Sequence, residues 1–207
     1  MDNTVGSQKK INSKQKRLLI GTLLGDGTLE LNGRYARLRI NHSLKQKTYV
    51  EWKHKLLYKL AARDRIVCFS RNADLRTNKT YYFCRFDTNT NFLLDRFYKI
   101  FYVNGKKRVP NNIIKVLNDP LSLAVWFMDD GYKRNDCNSL RISTDAFTFK
   151  EQILLKNCLK ENFNIDCKIH RKGKYWNIYI PSLEAKKFSR IIKPYIIPEM
   201  KYKILTP

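Results

Sequence analysis

The sequence has no long apolar run and few acidic residues. No stretch approaches the roughly 18 consecutive apolar residues of a transmembrane helix, so we expect no membrane partner. Only 18 Asp and Glu stand against 41 Lys and Arg, which leaves a formal net charge of +23. A hydrophobic content of 43% excludes a disordered basic tail. These features indicate a folded protein that binds a polyanion.

Paired cysteines and histidine motifs are also missing. The five cysteines are odd in number and include no C-x-x-C pair, which argues against a disulfide framework and a structural zinc site. The three histidines show no metal-ligand spacing, and we interpret them as strand or surface residues. The first residues do not form a signal peptide. We therefore expect the protein to work where it is made. Its many Asn, Ile and Lys residues, whose codons can be A/T-rich, indicate a gene of an organelle or of some bacteria; we expect an organelle, first the mitochondrion, with a bacterial cytoplasm as the alternative.

What the chain does contain is an internal repeat. A helix is predicted from Gln15 to Asp26, and a second one has Asp119 as its N-cap, Pro120 at its first position and Gly131 past its end. Similar elements follow each helix: strands at 36–41 and 139–143, helices at 47–62 and 149–163, strand pairs at 66–71 with 79–87 and 165–171 with 174–180, and helices at 90–102 and 183–194. The repeat predicts an α+β fold with two pseudo-symmetric αββαββα halves, each an antiparallel sheet with helices on one face.

The repeat also predicts how the chain is divided. We expect a flexible basic arm at 1–14, a first half at 15–102, a linker at 103–119 and a second half at 120–207.

Each predicted sheet has a polar face that alternates with its apolar face. With this net charge and with aromatic residues interleaved, we interpret the polar faces as nucleic-acid contacts; the alternative is a solvated surface. The candidate DNA-binding residues are Arg37, Arg39, Asn41, Lys79 and Arg85 in the first half, and Arg141, Ser143, Lys168, His170, Tyr175 and Asn177 in the second.

Asp26 and Asp130 end the two repeated helices. A carboxylate there opposes the negative end of the helix dipole at a cost of about 0.3–1 kcal/mol. If the helices pack through Gly21, Gly25 and Ala124, the two carboxylates lie side by side and resist joint ionisation. A divalent cation would relieve this repulsion, and oxygen ligands favour Mg²⁺. The alternative is that each Asp-Gly pair is simply a turn.

The two helices carry a family resemblance. The segments Leu19-Ile-Gly-Thr-Leu-Leu-Gly-Asp-Gly27 and Leu123-Ala-Val-Trp-Phe-Met-Asp-Asp-Gly131 look like two copies of the motif that names the LAGLIDADG homing endonucleases. The chain resembles the single-chain, two-motif type over nearly its whole length, including the stretches 103–143 and 192–203.

The resemblance implies a monomer with no obligate protein partner, whose two sheets form a DNA-binding saddle in the major groove. It implies Mg²⁺-dependent hydrolysis of both strands at a long asymmetric duplex site, with Mn²⁺ able to substitute and Ca²⁺ binding without turnover. By position, the resemblance makes Asp26 and Asp130 the metal-binding catalytic acids and Lys107 and Lys203 the catalytic lysines. It also makes the backbone carbonyls of Gly25 and Asp129 metal ligands.

Two other functions compete with DNA cleavage. An RNA maturase, or another non-cleaving nucleic-acid-binding protein, would use the same scaffold, and positive charge cannot separate duplex DNA from folded RNA. The acids and lysines favour cleavage, since a protein that only binds phosphate has little need of carboxylates on its binding surface. A ribosomal or architectural protein would explain the charge but not the paired Asp-Gly helices.

Overall fold

The computed structural model describes residues 10–74 and 79–205, with the side chains of residues 72–74 left out. Of the predicted arm at 1–14, residues 1–9 lie outside the described part of the chain. The structure forms two compact units. Unit 1 contains the described residues up to Lys16 together with Asp26–Ile100, and unit 2 contains Arg17–Gly25 and the residues from Phe101 onward. None of the helices in the described ranges is long and apolar enough to cross a membrane.

The helices and strands follow the predicted order. The helices are α1 (Ser13–Leu24), α2 (Lys47–Leu57), α3 (Phe92–Phe101), α4 (Ile113–Val116), α5 (Pro120–Asp130), α6 (Phe149–Phe163) and α7 (Ser182–Ile192). The strands are β1 (Thr28–Asn32), β2 (Tyr35–Ser43), β3 (Val67–Asp74), β4 (Lys79–Asp87), β5 (Tyr102–Val103), β6 (Lys106–Lys107), β7 (Gly131–Lys133), β8 (Leu140–Ser143), β9 (Lys168–Lys172) and β10 (Tyr175–Ile180). Short 3₁₀ helices cover Leu44–Gln46, Tyr58–Leu60, Lys193–Tyr195 and Pro198–Lys203.

Unit 1 is built around an antiparallel sheet in the order β1-β2-β4-β3. Burial alternates along β2, where Leu38 and Ile40 are buried and the residues between them are partly exposed. Helix α2 packs on β2 and β4 and covers this apolar face with Val50 and Leu57. Because one face is covered and the other is not, the polar strand residues share the uncovered face.

Unit 2 repeats the topology with the order β7-β8-β10-β9. Its apolar face includes Ile142 and Ile178, and α6 packs on β9 and β10. Helix α5 is buried from Leu121 to Asp129, as expected for a helix that is apolar on all sides. The two antiparallel sheets and the twice-used αββαββα order confirm the α+β prediction.

The predicted helix starts are also present. The Asp119 side chain caps α5 by accepting a 2.9 Å hydrogen bond from the Leu121 backbone N–H. Thr148 and Glu151 form a capping box at the start of α6, the helix predicted at 149–163. The Glu151 carboxylate also accepts a 2.8 Å hydrogen bond from the backbone N–H of Val109, which fixes the segment just after Lys107.

Candidate active site

In unit 2, the end of α1 packs tightly against α5. A Cβ atom added to Gly21 would lie 2.3 Å from the Ser122 carbonyl oxygen, and one added to Gly25 would lie 2.5 Å from the Asp129 Cβ. The Ser122 hydroxyl donates a 2.9 Å hydrogen bond to the Arg17 carbonyl, which joins the two helices further along. Helix α1 therefore meets α5 through Gly21 and Gly25, as the sequence predicted, but the nearest atoms of α5 belong to Ser122, Val125 and Asp129 rather than to the predicted Ala124.

Lys107 reaches the end of the first motif helix. It lies on β6, the second strand of a hairpin whose turn residues Asn104 and Gly105 both have positive φ. Its Nζ donates a 2.7 Å hydrogen bond to the carbonyl oxygen of Gly25, the residue before Asp26. The hairpin thus holds an ammonium group next to the residue that precedes the predicted catalytic acid.

Lys203 makes the corresponding contact at the end of the second motif helix. Its Nζ donates to the carbonyl oxygens of Met128 and Asp129, at 2.5 and 3.2 Å. The Lys203 side chain is buried, and the residue ends the 3₁₀ helix Pro198–Lys203. The partly exposed Asp130 follows Asp129 directly. Gly25 and Asp129 hold the same motif position, so in each motif a lysine bonds to the carbonyl of this residue.

These two lysines explain how an acid is tolerated at each helix end. The last carbonyls of a helix have no partner within it, and they carry the negative end of the dipole. An ammonium group bonded to those carbonyls satisfies them and offsets the charge of the neighbouring carboxylate. Each predicted metal-ligand carbonyl accepts a hydrogen bond from a lysine here, and a carbonyl oxygen has a second lone pair for another ligand.

In unit 1, Asp26 lies beside a histidine that the sequence did not connect with it. The His42 Nδ1 is 3.4 Å from the Asp26 Oδ2 and 2.9 Å from the Gln46 Oε1. His42 is buried, and its ring meets the Tyr49 ring edge-on at 5.4 Å. The Asp26 side chain is 44% exposed, so its carboxylate is open to a ligand. The alternation of apolar and polar residues along β2 could have predicted that His42 lies on the covered face of the sheet. Its contact with Asp26 depends on the tertiary fold.

The predicted contact residues of unit 1 share the uncovered face of the sheet. Strand register pairs Asn41 with Arg85 and Arg39 with Asp87, and the even spacing along β4 puts Lys79 on the same side. Arg37 and Arg39 both bind Glu30, at 3.1 and 2.7 Å. Arg39 also bonds to Asp87 at 2.8 Å, and this hydrogen bond is the main reason that the pKa of Arg39 is raised. These acids hold the two guanidinium groups in fixed positions.

The uncovered face of unit 2 contains the other predicted contact residues. Register pairs Asn177 with Ser143 and His170, and Tyr179 with Arg141 and Lys168. Tyr175 is exposed on the same face, whereas Asn177 is buried at 2% exposure. The Oδ1 atoms of Asn177 and of Asn41 in unit 1 are both buried without a hydrogen-bond partner.

His170 stacks on Tyr179 with a centroid distance of 4.4 Å. Burial lowers the pKa of His170, and the positive charges of Arg141, Lys168 and Arg134 lower it further. The ring therefore favours its neutral form in the free protein, so one nitrogen can accept a hydrogen bond.

The chain is similar to proteins of one known family. Residues 16–188 match the LAGLIDADG DNA endonuclease family. The chain is 33% identical to "DNA endonuclease I-ChuI" of Chlamydomonas applanata, over 94% of this chain and 95% of that protein. It is 30% identical to "Cytochrome b mRNA maturase bI2" of Debaryomyces hansenii, over 98% of this chain and 78% of that one.

A solved structure shares the fold. The structure titled "The homing endonuclease I-WcaI bound to its DNA recognition sequence" superimposes with a TM-score of 0.88 and 29% identity. The match covers 96% of this chain and 89% of the other.

Proposed function

Because the chain belongs to the LAGLIDADG DNA endonuclease family, we propose that it is a site-specific homing endonuclease that cuts both strands of a long, asymmetric duplex. One observation carries this proposal: each motif has an acid at or just past the end of its helix, and a lysine bonds to the carbonyl of the residue before that acid. The lysines are Lys107 and Lys203, and the acids are Asp26 and Asp130. The similar structure of an endonuclease bound to its DNA supports duplex DNA as the partner.

The donor set of the proposed site fits a hard divalent cation. Asp26 and Asp130 would each offer carboxylate oxygens to a metal ion, and Gly25 and Asp129 would offer backbone carbonyls. Such ligands suit Mg²⁺, and Mn²⁺ accepts the same set. When bound, Mg²⁺ would activate water and stabilise charge on the scissile phosphate and its leaving oxygen.

The lysines would stabilise the same negative charge on the scissile phosphate. Each ammonium is held at a helix end by a carbonyl, so it needs little reorganisation as negative charge builds on the phosphate oxygens. Lys203 is the more constrained of the two, because it is buried and donates to two carbonyls. The sheet faces hold the duplex through Arg37, Arg39, Asn41, Lys79 and Arg85 in unit 1 and Arg141, Ser143, Lys168, His170, Tyr175 and Asn177 in unit 2.

The cleavage proposal is tested with a randomised duplex library. The protein is incubated with the library and Mg²⁺, and the new DNA ends are sequenced. We expect recurrent double-strand breaks at one long sequence, with Mn²⁺ supporting the reaction and Ca²⁺ supporting binding alone. Tight binding with no enrichment of ends in Mg²⁺ would contradict the proposal.

RNA maturation is the second candidate function. One of the relatives described above carries the name cytochrome b mRNA maturase. A maturase would promote splicing of its intron RNA whether or not Asp26 and Asp130 were intact.

The relatives' names, which refer to introns and to cytochrome b mRNA, also support our proposal that the protein works in the organelle that encodes it, first the mitochondrion.

His42 is expected to position Asp26 for metal binding. Groups that hold a metal ligand typically contribute 10- to 100-fold to metal affinity or activity. We expect His42→Asn to raise the Mg²⁺ concentration for half-maximal cleavage about 10-fold or more, on the strand whose hydrolysis depends on Asp26. The half-saturating Mg²⁺ concentration is measured for each strand with end-labelled duplex.

His54→Asn is the matched control for this variant. It also removes a buried imidazole of unit 1, whose Nε2 lies 3.0 Å from the Arg63 carbonyl oxygen. We expect this variant to keep the Mg²⁺ requirement of the wild type. An unchanged Mg²⁺ requirement in folded His42→Asn would show that His42 is structural only.

A further inference from the structure

A basic pocket of about 420 Å³ lies in unit 2, away from the residues discussed so far. It is formed by the end of β7, the loop that follows it, one side of α7 and residue 205. Its lining side chains are Lys133, Asn138, Lys186, Ser189, Arg190, Lys193 and Leu205. Four of them are cations, and the amide and hydroxyl groups add neutral hydrogen-bond donors.

The cations of this pocket have no acidic partners in the described part of the chain. Among the described residues, no carboxylate lines the pocket and no ion pair includes one of the four cations. Elsewhere basic residues are neutralised: Arg39 by Glu30 and Asp87, and Lys160 by Asp166. The pocket thus concentrates uncompensated positive charge in a concave site, where potentials are strongest.

Strand register places the pocket on the helix side of the sheet. Lys133 lies opposite the buried Leu140, whereas Tyr132 lies opposite Arg141 of the polar face. Gly131, two residues before Lys133, is on the covered face as well, because a Cβ there would lie 2.2 Å from the Phe127 ring. Since successive strand residues point to opposite faces, the Lys133 side chain points away from the proposed DNA-contact residues of unit 2.

Three cations of α7 and of the 3₁₀ helix that follows it directly face the pocket together. Lys186, Arg190 and Lys193 are spaced by four and three residues, so they lie on one side of the helix. All three are exposed, while Phe188 and Ile192 of the same helix are buried. The helix therefore has an apolar side in the core and a cationic side that lines the pocket.

We propose that this pocket binds backbone phosphates of nucleic acid and forms a second nucleic-acid site of unit 2, on the sheet side opposite the polar face. A phosphodiester fits the donor set, because it offers charged oxygens to Lys and Arg and accepts hydrogen bonds from Asn and Ser. The phosphates come either from a single strand of RNA or DNA or from a duplex that extends beyond the cleavage site. This site does not depend on cleavage or on either motif aspartate.

The test compares two triple variants that remove equal charge from unit 2. The pocket variant is K186Q/R190Q/K193Q, and the control is K115Q/K150Q/K156Q, which changes exposed lysines of α4 and α6. Both are titrated with labelled 20-nucleotide poly(U), poly(dT) and a random duplex at several salt concentrations. A general effect of net charge would weaken both variants equally.

We expect the pocket variant to lose at least about 10-fold more affinity than the control for one of these probes. Each lost phosphate contact should lower the slope of log affinity against log salt by about 0.7 for a single strand or 0.9 for a duplex, so the slope should fall by roughly 2. The affected probe identifies the source of the phosphates. Equal losses in both variants with all three probes would overturn the proposal.

A charge-preserving variant separates binding from folding. K186R/K193R keeps the pocket's charge, and it should bind the affected probe within about 3-fold of the wild type. If the triple variant has a lower melting temperature, the single variant R190Q replaces it, with K156Q as its control. An R190Q loss no larger than that of K156Q would likewise overturn the proposal.

Discussion

Replacing Asp26 or Asp130 with asparagine is expected to slow hydrolysis of one DNA strand by about a thousand-fold, equivalent to about 4 kcal/mol of activation free energy. Asparagine keeps the shape of aspartate but loses the negative charge that holds a cation. Each single variant should therefore act as a nicking enzyme, and the double variant should cut neither strand. Duplex affinity without metal should stay equal or rise, because a negative charge near phosphate has been removed. The measurement is strand-resolved cleavage of the selected target under single-turnover conditions.

Two control variants sharpen this prediction. Asp166→Asn removes an exposed acid that pairs with Lys160, and it should leave both strand rates unchanged. Asp129→Asn keeps the backbone carbonyl that we propose as a metal ligand, so it should cost less than Asp130→Asn. If Asp129→Asn were the more damaging change, the carboxylate ligand of the second motif would be Asp129. Wild-type rates on both strands in the Asp26/Asp130 double variant would exclude the proposed site.

The regular parts of the fold could be predicted because each has a local cause. Asp119 and Pro120 specify the start of α5, and the Thr148–Glu151 capping box specifies the start of α6, so both helices begin where the sequence indicates. The strands predicted at 36–41 and 139–143 each contain the segment Leu-Arg-Ile, at 38–40 and 140–142, which alternates apolar and polar residues and lies within β2 and β8. Because similar signals recur in both halves, the order of helices and strands within a half could also be predicted.

The short elements were harder to predict, because tertiary contacts specify them. β7 has only three residues, which are too few to show the alternation of apolar and polar residues that predicts a strand. It is a strand because it pairs with β8. The hairpin of β5 and β6 fell within the predicted linker, although its Asn104-Gly105 turn is a hairpin signal. That hairpin brings Lys107 to Gly25 across 82 positions of sequence. The residues of the proposed site could be named from the motifs and the family resemblance, but their hydrogen bonds could not be predicted.

Gly21→Val is expected to destabilise unit 2 by about 3 kcal/mol or more. Even a single Cβ at this position would lie 2.3 Å from the Ser122 carbonyl oxygen and 2.7 Å from the Val125 Cβ. The carbonyl is a backbone atom of α5, so it cannot rotate away, and the two helices must separate. Overpacking of this kind usually costs 1–3 kcal/mol, and valine adds two further methyl groups. In a chain of this size, we expect the melting temperature to fall by about 6–12 °C in calorimetry.

The variants Gly21→Ala and Gly33→Ala separate the steric clash at position 21 from the effects of glycine replacement on helix propensity and backbone strain. Alanine at position 21 gains about 1 kcal/mol of helix propensity, which offsets part of the clash, so its loss should be smaller than that of valine. Gly33 has a φ of +66° and no atom within 4 Å of an added Cβ, so alanine there costs only backbone strain of about 1–2 kcal/mol. Because unit 1 contains Gly33 and unit 2 contains Gly21, calorimetry also tests whether the units unfold as one. A Gly21→Val protein that melts within 2 °C of the wild type would contradict the close approach of α1 and α5, and with it the basis for a small residue at this motif position.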